Sequence, residues 1–174
     1  MIISVETAKT MIDSKGWSDA KIGRKLKAIE AVIRKYTNNN FQERECRRTA
    51  DIVGSLFVVE ALTPFRIGDT VQISESGLNE GLYTVTSADD STFTVDCEVK
   101  DEKDVLCTRI KYPEDVVDCA LNLLEWEIKN RGKVGIKSET LSRHSVTYED
   151  SSSMFNGYPV GILNALNLHK KARF

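Results

Sequence analysis

The apolar period of this chain switches from helical to strand-like near Cys46 and back again near Ile110. A single helical or single β layer is therefore excluded, and a helical unit interrupted by β structure is the simplest arrangement. Before the switch, Ser18 and Asp19 mark a helix start, and Ile22, Leu26, Ile29, Ile33 and Tyr36 recur at spacings of four, three, four and three. That spacing makes one apolar stripe and leaves Arg24, Lys25 and Lys27 off it. Asn38-Asn39-Asn40 stops the helix. A shorter helix capped by Ser4 is predicted ahead of it, ending at Lys15-Gly16. After the switch, Pro113 suits a first helical position, and Glu114, Asp115 and Asp118 put negative charge at the positive end of the helix dipole. Val116, Val117, Ala120, Leu121, Leu124 and Ile128 follow, and Lys129, Arg131 and Gly132 close the helix. The predicted helical core is Ile22, Leu26, Ile29, Ile33, Val117, Leu121, Leu124 and Trp126.

Between the helices lie six β-prone pieces, TADIV, SLFVV, TVQIS, LYTVTS, TFTVD and VLCTRI, separated by turn-forming residues. They predict a compact antiparallel barrel or meander over 46–110. FRIGDTVQI followed by GLYTVTS resembles the small SH3-like barrels. The preceding QERECRR is read as either a helical turn or the lead into the first strand. HSVTYE alternates like a strand, DSSSMFNG reads as a polar linker, and Pro159 starts a last helix with Ile162, Leu163 and Leu166 on a narrow apolar edge.

The motifs on either side of the β segment, taken in order, resemble the head-tail connector (head-completion or adaptor) proteins of tailed bacteriophages. The Pro113 helix leads to Ser138-Glu139-Thr140 and then to Ser145-Val146-Thr147-Tyr148; Tyr36-Thr37-Asn38 and Phe41 match the family's ending of its second helix; GYPVGILNALNLHKKARF resembles its last helix and basic tail. The resemblance covers roughly the first 45 and last 63 residues, and the β insertion departs from the simplest members. It implies an α+β chain: a helical connector bundle of about four helices from 1–45 and 111–174, with an SH3-like antiparallel barrel inserted at 46–110.

By the same resemblance, about a dozen copies would form a ring beneath the portal, extend the DNA channel and receive a tail or stopper protein. Leu166, Leu168, His169, Lys170, Lys171, Arg173 and Phe174 would meet the portal protein, Phe174 as apolar anchor. The competing reading of the last helix is that it completes the subunit's own bundle. Lys133, Lys137 and Arg143 would face packaged double-stranded DNA as sequence-independent phosphate contacts, or else form a plain surface loop. Phe41 would pack beneath the end of the second helix. The implied location is the virion, after synthesis in the host cytoplasm.

Charge is uneven: cations crowd the N-terminal third and the last six residues, and acid gathers between Glu75 and Asp104. Such polarity suits a ring stacked on oppositely charged neighbours, or simply solvated surfaces. An acidic insertion is a poor DNA platform. The alternative function is nevertheless a small nucleic-acid-binding module that uses the barrel and the basic second helix. No G-x-x-x-x-G-K-[ST], H-E-x-x-H or G-x-S-x-G occurs, and His144 and His169 stand at no metal-ligand spacing from Asp, Glu or Cys. Glu125 and Glu127, two apart on a helix, point to different faces. Neither catalysis, metal nor cofactor is expected. Cys46, Cys97, Cys107 and Cys119 form no C-x-x-C pair and are expected to be free, buried thiols. No apolar run approaches the roughly 20 residues that span a bilayer, and the start lacks a signal-peptide pattern, so no membrane partner is expected.

Overall fold

The computed structural model describes residues 1–130, 138–141, 144–147 and 154–172. Among these residues the fold is α+β, with a closed six-stranded antiparallel barrel and four α-helices. The chain divides into two compact units, one of Met1 with Asn40–Tyr112 and the other of Ile2–Asn39 with Pro113–Phe174. No helix among the described residues is long and apolar enough to cross a membrane.

The helical unit begins with α1 (Val5–Met11), whose N-cap Ser4 accepts a hydrogen bond from the Thr7 amide at 3.0 Å. Helix α2 (Asp19–Thr37) follows and ends on Asn38 in the left-handed region, a conformation that Asn tolerates better than most residues. Helix α3 (Glu114–Asn130) packs against α2. Ile22, Leu26, Ile29 and Ile33 on α2, and Val116, Ala120, Leu123 and Leu124 on α3, are fully buried. Each such side chain is worth about 1.5–3 kcal/mol of burial.

Two core expectations need correction: Val117 and Trp126 are only half-buried. Val116 takes the inward position beside Val117, and Trp126 lies on the flank of α3, tilted over Tyr158 with ring centroids 6.0 Å apart.

The barrel strands are β1 (Gln42–Val53), β2 (Leu56–Val59), β3 (Thr70–Ser74), β4 (Gly81–Ala88), β5 (Thr92–Val95) and β6 (Glu102–Ile110). Their order round the barrel is β1-β2-β5-β4-β3-β6, a closed circuit rather than a simple meander. QERECRR is neither helical nor a lead-in but the first half of β1, and a bulge between Gln42 and Arg47 interrupts its pairing with β6. Strand alternation sends Ala50, Ile52, Phe57, Val59, Val71, Ile73, Val85, Phe93, Val105 and Cys107 inward. Phe93 anchors this core, stacked on Phe57 at 4.5 Å and edge-on to Phe65 at 4.9 Å. Gly54 and Ser55 both have positive φ, as a two-residue hairpin turn of the strand-matching hand requires.

Beyond α3, β7 (Ser138–Leu141) and β8 (His144–Thr147) pair as a hairpin. The expected linker contains part of a second hairpin: β9 (Met154–Phe155) pairs with β10 (Tyr158–Pro159) across Asn156-Gly157, both at positive φ. Helix α4 (Val160–Leu163) then gives way to a 3-10 helix (Asn164–His169). All four cysteines are free, but Cys97 is exposed and Cys46 half-buried, so only Cys107 and Cys119 fit the buried expectation. Burial pushes the Cys107 thiol up to about 12 and the Cys119 thiol up to about 11.

Candidate functional site: the C-terminal strap

The last described residues of the helical unit form a strap tied across the end of α2. The final turn of a helix leaves carbonyls without intrahelical partners, and the Lys171 amide donates to one of them, Thr37 O, at 2.8 Å. The Asn38 side-chain amide donates to Ala172 O at 3.1 Å and to Lys171 O at 3.3 Å, and that of Asn39 donates to His169 O at 3.2 Å. Tyr36 completes the seat. Its hydroxyl donates to Asn167 Oδ1 at 3.1 Å, its ring lies 3.9 Å from the Lys170 ammonium, and Phe155 meets it edge-on at 5.2 Å.

On the other side of the strap, His169 Nε2 lies 2.6 Å from Asp115 Oδ2 in the first turn of α3. That imidazole contact holds the Asp115 carboxyl below the usual carboxylate range. His169, which no sequence spacing linked to an acid, therefore has an acidic neighbour 54 positions away.

This geometry sorts the expected portal-contact residues. Leu166 is 0% exposed and lies in the core with Leu163, so it is unavailable to a partner as the strap stands. His169 is engaged with Asp115. Leu168 is 93% exposed, and Lys170 and Lys171 are exposed beside it. Arg173 and Phe174 lie outside the described residues, as do the expected DNA-facing Lys133, Lys137 and Arg143. Phe41 belongs to the barrel unit, where its ring lies 5.0 Å from that of Tyr112.

The acidic barrel segment serves its own turns to a large extent. Glu102 accepts from Ser76 Oγ and the Gly77 amide, both at 2.6 Å, and from Asn79 Nδ2 at 2.8 Å. These bonds, the Ser76 bond first, hold its carboxyl below the ordinary range. Asp101 accepts from the Gly54 amide at 2.7 Å, Asp96 from Thr84 N at 2.8 Å and Asp69 from Arg66 N at 2.8 Å. Arg109 joins Glu43 at 2.6 Å, and that bond lowers the Glu43 carboxyl.

Glu125 and Glu127 of α3 face apart: Glu127 is buried against Lys25 of α2, while Glu125 meets Lys129 at 2.5 Å on the outer face. Among the described residues no group of three His, Cys, Asp or Glu side chains could hold a metal ion. No protein-family model matches the chain, and no curated protein matches it.

Proposed function

We propose that this chain is a structural subunit of a phage head-tail connector, assembling as a ring beneath the portal and extending the DNA channel toward a tail or stopper protein. The observation that carries the reading is the strap: Leu168 stands 93% exposed between the bonded residues of a backed segment, with Lys170 and Lys171 at its side. A large apolar side chain held out to solvent on a fixed backbone, flanked by cations, suits contact with a partner surface of apolar centre and acidic rim. The order of motifs supports it too, since the helical unit is built from chain on both sides of the barrel. The barrel is read as SH3-like on FRIGDTVQI and GLYTVTS, which supply β3 and β4.

Electron microscopy of the purified protein with and without the portal protein of the same phage tests the reading. Rings, alone or on the portal, are expected, and Leu168→Glu is expected to weaken portal binding at least about tenfold, the worth of one well-placed anchor. A protein that neither forms rings nor binds the portal rules the reading out. The second reading, a small nucleic-acid-binding module, draws on exposed Arg24, Lys27 and Lys35 of α2. It requires salt-dependent binding of the isolated protein to nucleic acid.

A further inference from the structure

The two long helices of the helical unit pack on one another through their apolar stripes, so their outer faces point away from each other. Those faces differ in charge. The outer face of α2 exposes Arg24, Lys27 and Lys35 with Ala28 and Ala31 between them. The outer face of α3 forms one wall of a groove of about 560 Å³ whose other wall is Gly161, Ile162 and Ala165. Asp118, Glu125 and half-buried Trp126 line it. A Cβ at Gly161 would meet nothing within 4 Å, so the small residues of that wall leave the groove open. Its carboxylates have only surface neighbours: Asp115 has His169, Glu125 has Lys129, and Asp118 accepts from Asn122 at 3.2 Å.

We infer that the groove on α3 receives the outer face of α2 from a second copy of this chain, head to tail. The match is one of charge and of length. Arg24 to Lys35 spans eleven positions, and the carboxylates that line the groove, Asp115 to Glu125, span ten. At the helical rise of 1.5 Å per residue the rows are roughly 16 and 15 Å long. Ala28 and Ala31 fall midway along the basic row, where short side chains let the incoming helix approach the middle of the groove. Because donor and acceptor faces lie on opposite sides of the helix pair, the contact is heterologous. Each pair keeps one vacant groove and one vacant basic face, and so continues into a ring or filament. The inference deepens the connector reading by naming the contact between its subunits.

Sedimentation velocity over a concentration and salt series tests it. Arg24→Glu with Lys27→Glu spoils only the basic face; Asp118→Lys with Glu125→Lys spoils only the groove. All four positions are at the surface, and circular dichroism checks that the fold is kept. Expected are salt-sensitive association of the wild type, association at least about tenfold weaker in either double variant, and renewed association when the two are mixed, because intact face meets intact groove and reversed face meets reversed groove. The quadruple charge swap is expected to associate again. A wild type that stays monomeric up to about 1 mM at low salt, double variants that associate like wild type, or a mixture that associates no better than either variant alone would overturn the inference. Electron microscopy on the portal separates the two claims. Wild-type-like rings from both double variants sink this interface and leave the connector reading standing, whereas failure of the wild type to form rings or bind the portal sinks the connector reading.

Discussion

Glu127 shows how much of this molecule depends on pairs that no local pattern announces. It is buried on the inner side of α3, and the Lys25 ammonium of α2, 102 positions earlier, meets it. Removing one partner of a buried ion pair typically costs about 3–5 kcal/mol because the other charge is left in low dielectric. Lys25 retains 24% exposure, so water relieves part of that cost. Lys25→Ala is expected to destabilise the helical unit by about 2–3 kcal/mol in urea denaturation; a change within about 0.5 kcal/mol would mean that the pair is idle. Sequence spacing did separate Glu125 from Glu127 by face, since that follows from 3.6 residues per turn. It could not show that Lys25, one of a crowd of cations, was the partner. The partners of the barrel acids were equally illegible in the sequence. Glu102 gathers the 76–79 turn through residues that no periodic spacing links to it. Its folded value is depressed, so the stability it contributes is present above the ordinary carboxylate range, about 4, and is lost as pH falls through the lowered value. Thermal melts between neutral pH and acid should accordingly show a loss of stability in Glu102→Gln at neutral pH and a shallower fall in acid than in the wild type. Parallel curves would remove Glu102 from the account.

At the scale of elements, long periodic segments were legible and tight turns less so. The stripe on α2 and all six barrel strands could be read from spacing and turn residues, whereas β1 began earlier than expected because its first half, QERECRR, is charged and bulged rather than alternating. Asn156-Gly157 is a strong hairpin signal, but it follows a serine-rich run and only two residues flank it on each side in β9 and β10. The strap was the hardest to foresee, because it is tied largely through main-chain carbonyls and Asn side chains, which leave no periodic trace. Asn38 serves it twice, as the left-handed end of α2 and as donor to Lys171 O and Ala172 O. Asn38→Gly keeps the first role and deletes the second. Its melting temperature should stay within a few degrees of wild type, a shift of about 1 kcal/mol or less. Amide hydrogen exchange at 170–172 should meanwhile accelerate. Unchanged exchange there would show that Lys171 N on Thr37 O holds the strap without help from Asn38.

For the molecule as a whole, the decisive local fact is where the barrel's two ends meet. The Lys111 amide donates to Phe41 O at 3.0 Å, Gln42 pairs with Ile110, and the rings of Phe41 and Tyr112 are 5.0 Å apart. The chain therefore leaves the barrel beside the point where it entered. A segment with adjoining ends is a closed loop to the rest of the chain, and its length adds only slowly to the entropy of bringing residues 39 and 113 together. The barrel also has a core of its own, a cluster that runs from Ala50 to Cys107 and includes no residue of α2 or α3. Residues 40–112 alone, about 70 residues, are long enough to bury an independent core. That fragment should fold as a monomer, with a β-type circular dichroism spectrum and one cooperative melt. The reciprocal chain, with 41–111 replaced by a short Gly/Ser linker, should retain the helical signal of α2 and α3. If the fragment folds and the linked chain does not, the barrel acts as a template for helix pairing; if neither folds, a core of its own does not amount to independence. Success of both would allow ring formation and portal binding to be measured without the barrel, and would show directly whether the inserted unit has any part in assembly.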